Sequence, residues 1–322
     1  MSSVSLADDR VVTAQDPVPT PARRRSRRAL GDAAFGRLLL APAAAFLAVF
    51  VLWPLLRLVL DSFYRTDALA GIREFVGLAN YAALFAQPAF GAAAGRTAIY
   101  TALVVTAEFL LGLAMALLFH ALGNRSRPLQ TAFLYPLMIA PVVAGLLWRF
   151  LLIDNFGIIN ELLARFGIIS SSAAIGWLSD PGIVLYAVAL PDIWLATSFI
   201  TLVLYAGLQN IPVEITEAAR LDGAGGWRLL LNVILPQLRP VMAVALIVRG
   251  VDAARAFDVI LIQTDGGPQS ASETLSLLIY RTMVRYGDQG LASAMSVLYL
   301  LVMLVVAVAA MRFLWNPGGT NR

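Results

Sequence analysis

Long runs of apolar residues, separated by short polar stretches, set the layout of this chain. Leu38 to Leu56 carries no charge and approaches the roughly 20 residues that a bilayer-spanning helix needs. A second run extends from Thr97 to Phe119 and is broken only by Glu108, and a third runs from Leu129 to Trp148 without a charge. A fourth covers Gly182 to Leu208 with Asp192 inside it, a fifth Pro236 to Ile262 with several charges, and a sixth Leu291 to Met311 with none. The pattern predicts an all-α integral membrane protein of six transmembrane helices with both termini on one side. Residues 1–34 are polar and end in Arg23, Arg24, Arg25, Arg27 and Arg28, which predicts a disordered basic tail; residues 35–315 form the membrane domain and 316–322 a second tail. The amino-terminal stretch lacks the layout of a cleavable signal peptide. The halves show no inverted repeat, so one chain is expected to supply half a pathway.

Composition narrows the chemistry. Of the 322 residues, 59% are hydrophobic and 14% charged, too few polar side chains to cover a water-soluble globule of this size. All 24 basic residues are arginine, and without a lysine no GxxxxGK[ST] phosphate-binding loop can form, so any ATP must be hydrolysed by another chain. Cysteine is absent and His120 is the single histidine, which leaves no disulfide framework and no Cys/His metal cluster. No cofactor is expected in this chain. The formal charge of +4 is expected to mark cytoplasmic loops rather than nucleic-acid binding. With the amino terminus inside, the tails and inner loops hold fourteen arginines, and the outer loops hold six: Arg65, Arg73, Arg96, Arg165, Arg281 and Arg285. Both termini are therefore expected in the cytoplasm.

Between the fourth and fifth runs, Asn210 to Pro236 reads NIPVEITEAARLDGAGGWRLLLNVILP. It is more polar than its surroundings yet rich in helix formers, and predicts two short helices. Pro212 falls in the first turn of one, Glu214 and Glu217 favour its amino-terminal half, and Gly223, Gly225 and Gly226 end it. Trp227 to Ile234 then restarts a helix.

Glu217, Ala218, Ala219, then Gly223, then nine residues, then Val233, Ile234, Leu235 and Pro236 closely resemble the EAA signature of binding-protein-dependent ABC importer permeases. Only Val233 departs from it, and Asp222, Gly223 and Ala224 also match. The resemblance implies a MalF-like, type I importer permease fold in a bacterial inner membrane, covering Phe35 to Trp315. It further implies that Glu217, Ala218, Ala219, Arg220, Asp222 and Gly223, with Leu235 and Pro236, couple the spans to a separate ATPase dimer, where ATP and magnesium would bind. The other implied partners are a second homologous permease and an extracytoplasmic solute-binding protein. Small Ala218 and Ala219 permit close approach, Glu217 can accept charge-assisted bonds, and Gly223 permits a sharp turn.

In the fifth run, Arg249, Asp252, Arg255 and Asp258 recur at every third position, predicting a slowly drifting helical stripe of alternating sign whose neighbours pair. Charges at membrane depth normally face a bundle interior or a watery cavity, so this helix is expected to line the pathway or the interface with the second permease. The stretch TDGGPQSASETLSLLIYRTMVRYGDQGLASAMS resembles the carbohydrate-uptake branch of these permeases, the MalF-like and glycerol-3-phosphate group, through Gly266, Gly267, Pro268, Thr274, Leu275, Tyr280, Gly290, Ala292 and Ala294. With Phe257 and Asp258 this implies a sugar or sugar-like cargo. Asp252, Arg255, Asp258, Asp192, Trp194 and Trp148 are the candidate pathway residues, since carboxylates can bond hydroxyls and tryptophans can stack on sugar rings. Glu108 and Arg149 lie in or beside spans as well. His120 reads as interfacial, and Pro42, Pro54, Pro136, Pro141 and Pro191 as kinks or starts of spans. The stretch Asp61 to Arg96 is too short for a large insertion domain. The rival reading is an autonomous ion-coupled transporter that uses Glu108, Asp192 or Asp258 as its protonated carboxylate.

Overall fold

The computed structural model describes residues 32–67 and 71–314, and the two expected tails fall mostly outside them. It divides into two compact units, one ending at Pro54 and one beginning at Leu55. The expected tail overlaps the first helix by three residues, because helix α1 (Asp32–Leu47) begins at Asp32. A π-helical turn, Ala48–Leu52, leads into α2 (Trp53–Asp61). Pro54 has no N–H for the carbonyl four residues back, and the turn before it widens so that the N–H of Trp53 bonds the carbonyl of Ala48.

The chain continues through a hairpin of β1 (Tyr64–Asp67) and β2 (Ile72–Phe75), antiparallel with Tyr64 opposite Phe75, the only strands among the described residues. Then come α3 (Ala79–Ala86) and the 35-residue α4 (Pro88–Leu122). Beyond a 3-10 turn lie α5 (Arg127–Leu134), a second 3-10 turn, Tyr135–Met138, and α6 (Pro141–Leu152). The loop to the fourth span carries α7 (Ile158–Arg165), and α8 (Val184–Ala187) precedes α9 (Leu190–Gln209). Next are α10 (Val213–Leu221), α11 (Gly226–Leu229), α12 (Leu235–Ala254), α13 (Asp258–Thr264), α14 (Leu275–Tyr280) and α15 (Gln289–Leu314).

Five helical stretches among the described residues are long and apolar enough to cross a membrane, not the six uninterrupted spans expected. The third expected span is the one that breaks. Its residues divide between α5 and α6, with Ile139 and Ala140 extended at ψ 132° and 137°. Pro141 crowds Ala140 and biases it toward the extended region, and Pro136 starts the preceding turn. The fifth expected span also breaks, after Ala254.

The buried centre lies among α4, α9 and α12. Ala116, Ile200, Leu204, Leu208, Leu238 and Ala245 form one cluster; Tyr100, Val104, Val188, Ala253, Ile260 and Leu277 belong to a second beside α13 and α14. Close approach depends on missing side chains. A Cβ on Gly112 of α4 would lie 2.6 Å from Cγ2 of Ile200 on α9, and one on Gly207 would lie 2.9 Å from Cδ2 of Leu238. Part of the surface is strongly apolar: on α15 Leu300, Leu301, Val302, Leu304, Val305 and Val306 are all exposed, a face suited to lipid.

Two alanine substitutions on α4 test the packing. Gly95 has open space around it, so Gly95→Ala should stabilise the chain in detergent by about 0.5–1 kcal/mol through helix entropy. Gly112→Ala should cost about 1–3 kcal/mol through overpacking against Ile200. Thermal unfolding of both variants checks this, and equal shifts would contradict the α4–α9 contact.

Candidate functional site

The guanidinium of Arg249, on α12, sits at the middle of the bundle. Its Nε donates to Oε2 of Glu108 at 2.8 Å and its Nη2 to Oε1 at 2.6 Å, a two-pronged bond to a fully buried carboxylate on α4. The same Nη2 donates to Oδ1 of Asp192 on α9 at 3.2 Å, and the hydroxyl of Tyr100 donates to Oδ2 of Asp192 at 3.2 Å. Arg249 also lies 3.8 Å from Asp252, which accepts from Arg255 at 2.7 Å. Arginine stays charged and its planar fork matches a carboxylate, so three membrane helices are tied at one point.

The expected pairing along α12 thus holds for Asp252 with Arg255, but the principal partner of Arg249 is 141 positions away in sequence. The only acid in the second span and an arginine in the fifth were separate signals in the sequence, and nothing local joined them. The stripe itself does not reach Asp258. Helix α12 ends with Arg255 at φ −84° and ψ 6°, Phe257 is at φ −137°, and Asp258 opens α13 as a new helix. Irregular backbone at membrane depth is tolerated only where it is buried in protein or lines a watery cavity. Asp252 and Arg255, with side chains 42% and 65% exposed, stand beside this interruption, and Asp258 is exposed just past it.

The six candidate pathway residues do not form one group. Asp192 and Trp194 are two positions apart on α9, which is about 200° around its axis. Asp192 faces Arg249, whereas Trp194 meets Trp148 of α6 with ring centroids 6.3 Å apart at 59°. Beside that aromatic pair, Nη1 of Arg149 donates to the carbonyl of Ile262 at 3.0 Å, and a Cβ on Gly145 would approach Ile262 to 2.5 Å, so α6 packs tightly on α13.

The stretch after α13 is a closed turn. Asp265, Gln269 and Ser270 take left-handed φ angles of 50°, 50° and 59°. Ser272 donates to the carbonyl of Gly267 at 2.8 Å and shares a 2.8 Å hydrogen bond with Thr264. Arg281 bonds Glu273 at 2.5 Å and the carbonyl of Asp265, while Arg285 bonds the Asp265 carboxylate at 2.6 Å. This arginine pair holding the turn had no signal in the sequence beyond its charges.

The segment between the fourth and fifth spans forms as expected, with two differences. Pro212 caps α10 rather than lying within it, and α11 passes through a π-helical turn, Leu230–Ile234, straight into α12, so the restarted helix is the beginning of the fifth span. Pro236 accounts for the wide turn as Pro54 does for the first: the N–H of Leu235 bonds the carbonyl of Leu230. At the end of α10, Gly223 has φ +82° and its N–H bonds the carbonyl of Arg220 at 3.0 Å, while the N–H of Ala224 bonds that of Ala219 at 2.9 Å, a Schellman cap that needs a residue tolerant of the left-handed region. Glu217, Ala218, Arg220 and Asp222 are exposed, and so is Leu221 at 89%. A short helix with a bare leucine, standing off the bundle, has a surface suited to docking.

Residues 109–314 match the family described as binding-protein-dependent transport system inner membrane component. The sulfoquinovosyl glycerol transport permease SmoG of Agrobacterium fabrum is 36% identical over 87% of this chain and 90% of its own length. The trehalose/maltose permease MalF of Thermococcus litoralis is 31% identical over 87% and 94%, and the sn-glycerol-3-phosphate permease UgpA of Yersinia pestis is 34% identical over 86% and 92%. A crystal structure of a bacterial ABC transporter that imports alginate superposes with a TM-score of 0.75 at 21% identity, covering 87% of this chain and 94% of that one.

Removing one partner of the buried ion pair leaves the other charge uncompensated. Glu108→Gln and Arg249→Met should each destabilise the chain in detergent by about 3–5 kcal/mol, whereas Glu108→Leu combined with Arg249→Met should cost far less than the sum. A double-mutant cycle followed by thermal unfolding measures this, and additive losses would contradict the pairing.

Proposed function

The chain belongs to the family of binding-protein-dependent transport system inner membrane components, the permeases of ABC importers, and on that premise we propose that it forms half of an ATP-driven pathway for a sugar or sugar-like solute. The observation that carries the coupling is the segment 210–236: its signature residues occupy the exposed, capped α10, and a short turn joins that helix to α11, which runs on into α12, the helix bearing Arg249. In this reading α10 docks on an ATPase dimer, Glu217 accepts bonds from basic groups there, and Leu221 fills an apolar depression. A second permease completes the pathway and a solute-binding protein delivers the cargo. ATP binding closes the motor, α10 moves with it, and the spans turn from inward- to outward-facing. The arginine distribution supports cytoplasmic termini and a cytoplasmic docking segment.

The relatives' names cover a sulfosugar glycoside, disaccharides and a polyol phosphate, all polyhydroxylated, which supports the same broad class for this chain. Asp252, Arg255 and Asp258, beside the interrupted fifth span, are its proposed contacts. Discontinuous membrane helices are where transporters of several folds place their cargo. Asp192 acts behind them by holding Arg249, and the Trp148–Trp194 pair lies on the other side of α9. Of the three carboxylates that an ion-coupled transporter could use, Glu108 and Asp192 are engaged by Arg249, which leaves the exposed Asp258 as the candidate for that second reading.

Substitutions in the docking segment separate coupling from folding. Glu217→Ala and Gly223→Val should abolish ATP-driven uptake and weaken association with the ATPase in pull-down while membrane insertion persists. Gly223→Asn, which tolerates the left-handed backbone, should retain more activity than Gly223→Val. Normal uptake by both Glu217→Ala and Gly223→Val would overturn the assignment.

A further inference from the structure

The loop between α6 and α9 contains a short helix whose apolar face the described residues leave uncovered. After α6 the chain turns through Gly157, where a Cβ would meet the carbonyls of Ile153 and Leu151 at 2.5 and 2.6 Å, and α7 follows at once. One side of α7 is pinned. The side chain of Asn160, 1% exposed, donates to the carbonyls of Asp154 at 3.0 Å and Ile175 at 2.8 Å and accepts from Nε1 of Trp177 at 2.7 Å. The other side presents Ile158 and Leu162, one turn apart, flanked by Phe156 at 87% exposure, Phe166 at 76% and Ile168 at 67%. The polar flank carries the exposed pair Glu161 and Arg165, 4.0 Å apart.

The geometry points to a bilayer-surface anchor: α7 lies in the membrane interface, its apolar face among acyl chains and the Glu161–Arg165 flank in water. Three observations select lipid as the occupant. The apolar surface continues that of α6, where Leu147 and Phe150 are exposed, and runs through the exposed Ile153 just past its end into Phe156. Five side chains fall well short of the roughly 20–30 residues that each side of a specific protein interface supplies. The helix is amphipathic and joined to the end of a membrane segment, so its height is set near the boundary, where such helices bury their apolar face by about 5–10 Å. The hydrogen bonds of Asn160 fix the roll of α7, so the face cannot turn inward. Anchored this way, the loop holds the end of α6, which packs on α13, at constant depth while the bundle moves. The inference rests on α6 being in the bilayer and is independent of the cargo.

The chain contains no cysteine, so single-cysteine variants can be spin-labelled before assembly without background from the chain itself. Labels at Phe156→Cys, Leu162→Cys, Phe166→Cys and Glu161→Cys would be read in the assembled complex in phosphatidylethanolamine–phosphatidylglycerol liposomes, with monodisperse elution as the folding check. Phe150→Cys on α6 reports separately whether the membrane reading of that helix holds. The ratio of oxygen to water-soluble nickel-chelate collision should be at least threefold higher at 156, 162 and 166 than at 161. High nickel accessibility at those three positions, meaning water, or low accessibility to both probes, meaning a protein cover, would overturn the proposal.

Discussion

A positive charge held at membrane depth is the constraint around which the bundle is arranged. Arg249 cannot shed its proton, and in a medium of low dielectric it is tolerable only with carboxylates in contact. Glu108 and Asp192 supply them from two other helices, so the rotation of α4, α9 and α12 is fixed at one point. Association in lipid gains little from the hydrophobic effect, which leaves close packing and polar bonds to hold the helices. Gly112 against Ile200 and Gly207 against Leu238 supply the first, the Arg249 cluster the second.

That arrangement divides the chain into a locked part and a presented part. The Arg249 cluster, the α4–α9 contact and the closed turn after α13 are buried or cross-linked. The segment from Val213 to Trp227 is exposed and connects to the locked part through a continuous helix, since α11 and its π-helical turn run into α12. In the proposed coupling, a push on α10 would reach the helix that carries Arg249 and, through the ion cluster, α4 and α9. The interruption at Arg255 to Phe257 directly follows that helix just past the cluster, which puts the irregular backbone beside Asp252, Arg255 and Asp258 at its end.

Much of this was legible in the sequence because membrane spans are written in local apolar runs. The last span emerged within three residues of α15 at each end, whereas α4 begins nine residues before the expected span with Glu108 and α9 eight residues after the expected start of the span with Asp192; the helix ended by Gly223 formed as its residues dictate. Two spans broke where local rules outweighed hydropathy. Pro141 biases Ala140 toward the extended region, a signal present in the sequence but outweighed there by the absence of charge from Leu129 to Trp148. The break after Ala254 has no proline, and the every-third-residue charge pattern concealed it. The salt bridge from Glu108 to Arg249 was illegible for a different reason: its partners are set by how α4 packs on α12. The opposite facing of Asp192 and Trp194 follows from helical period alone once α9 is known to be continuous through both.

The central claim is that this chain moves solute only as the permeating half of an ATP-driven assembly. Its most direct test is uptake into proteoliposomes of the sugar retained by the cognate binding protein, comparing this chain alone with the complex of both permeases, the ATPase and the binding protein. The account predicts uptake by the complex alone, dependent on ATP and unchanged when ionophores collapse proton and sodium gradients. Gradient-driven uptake by the isolated chain, without ATP, would contradict it.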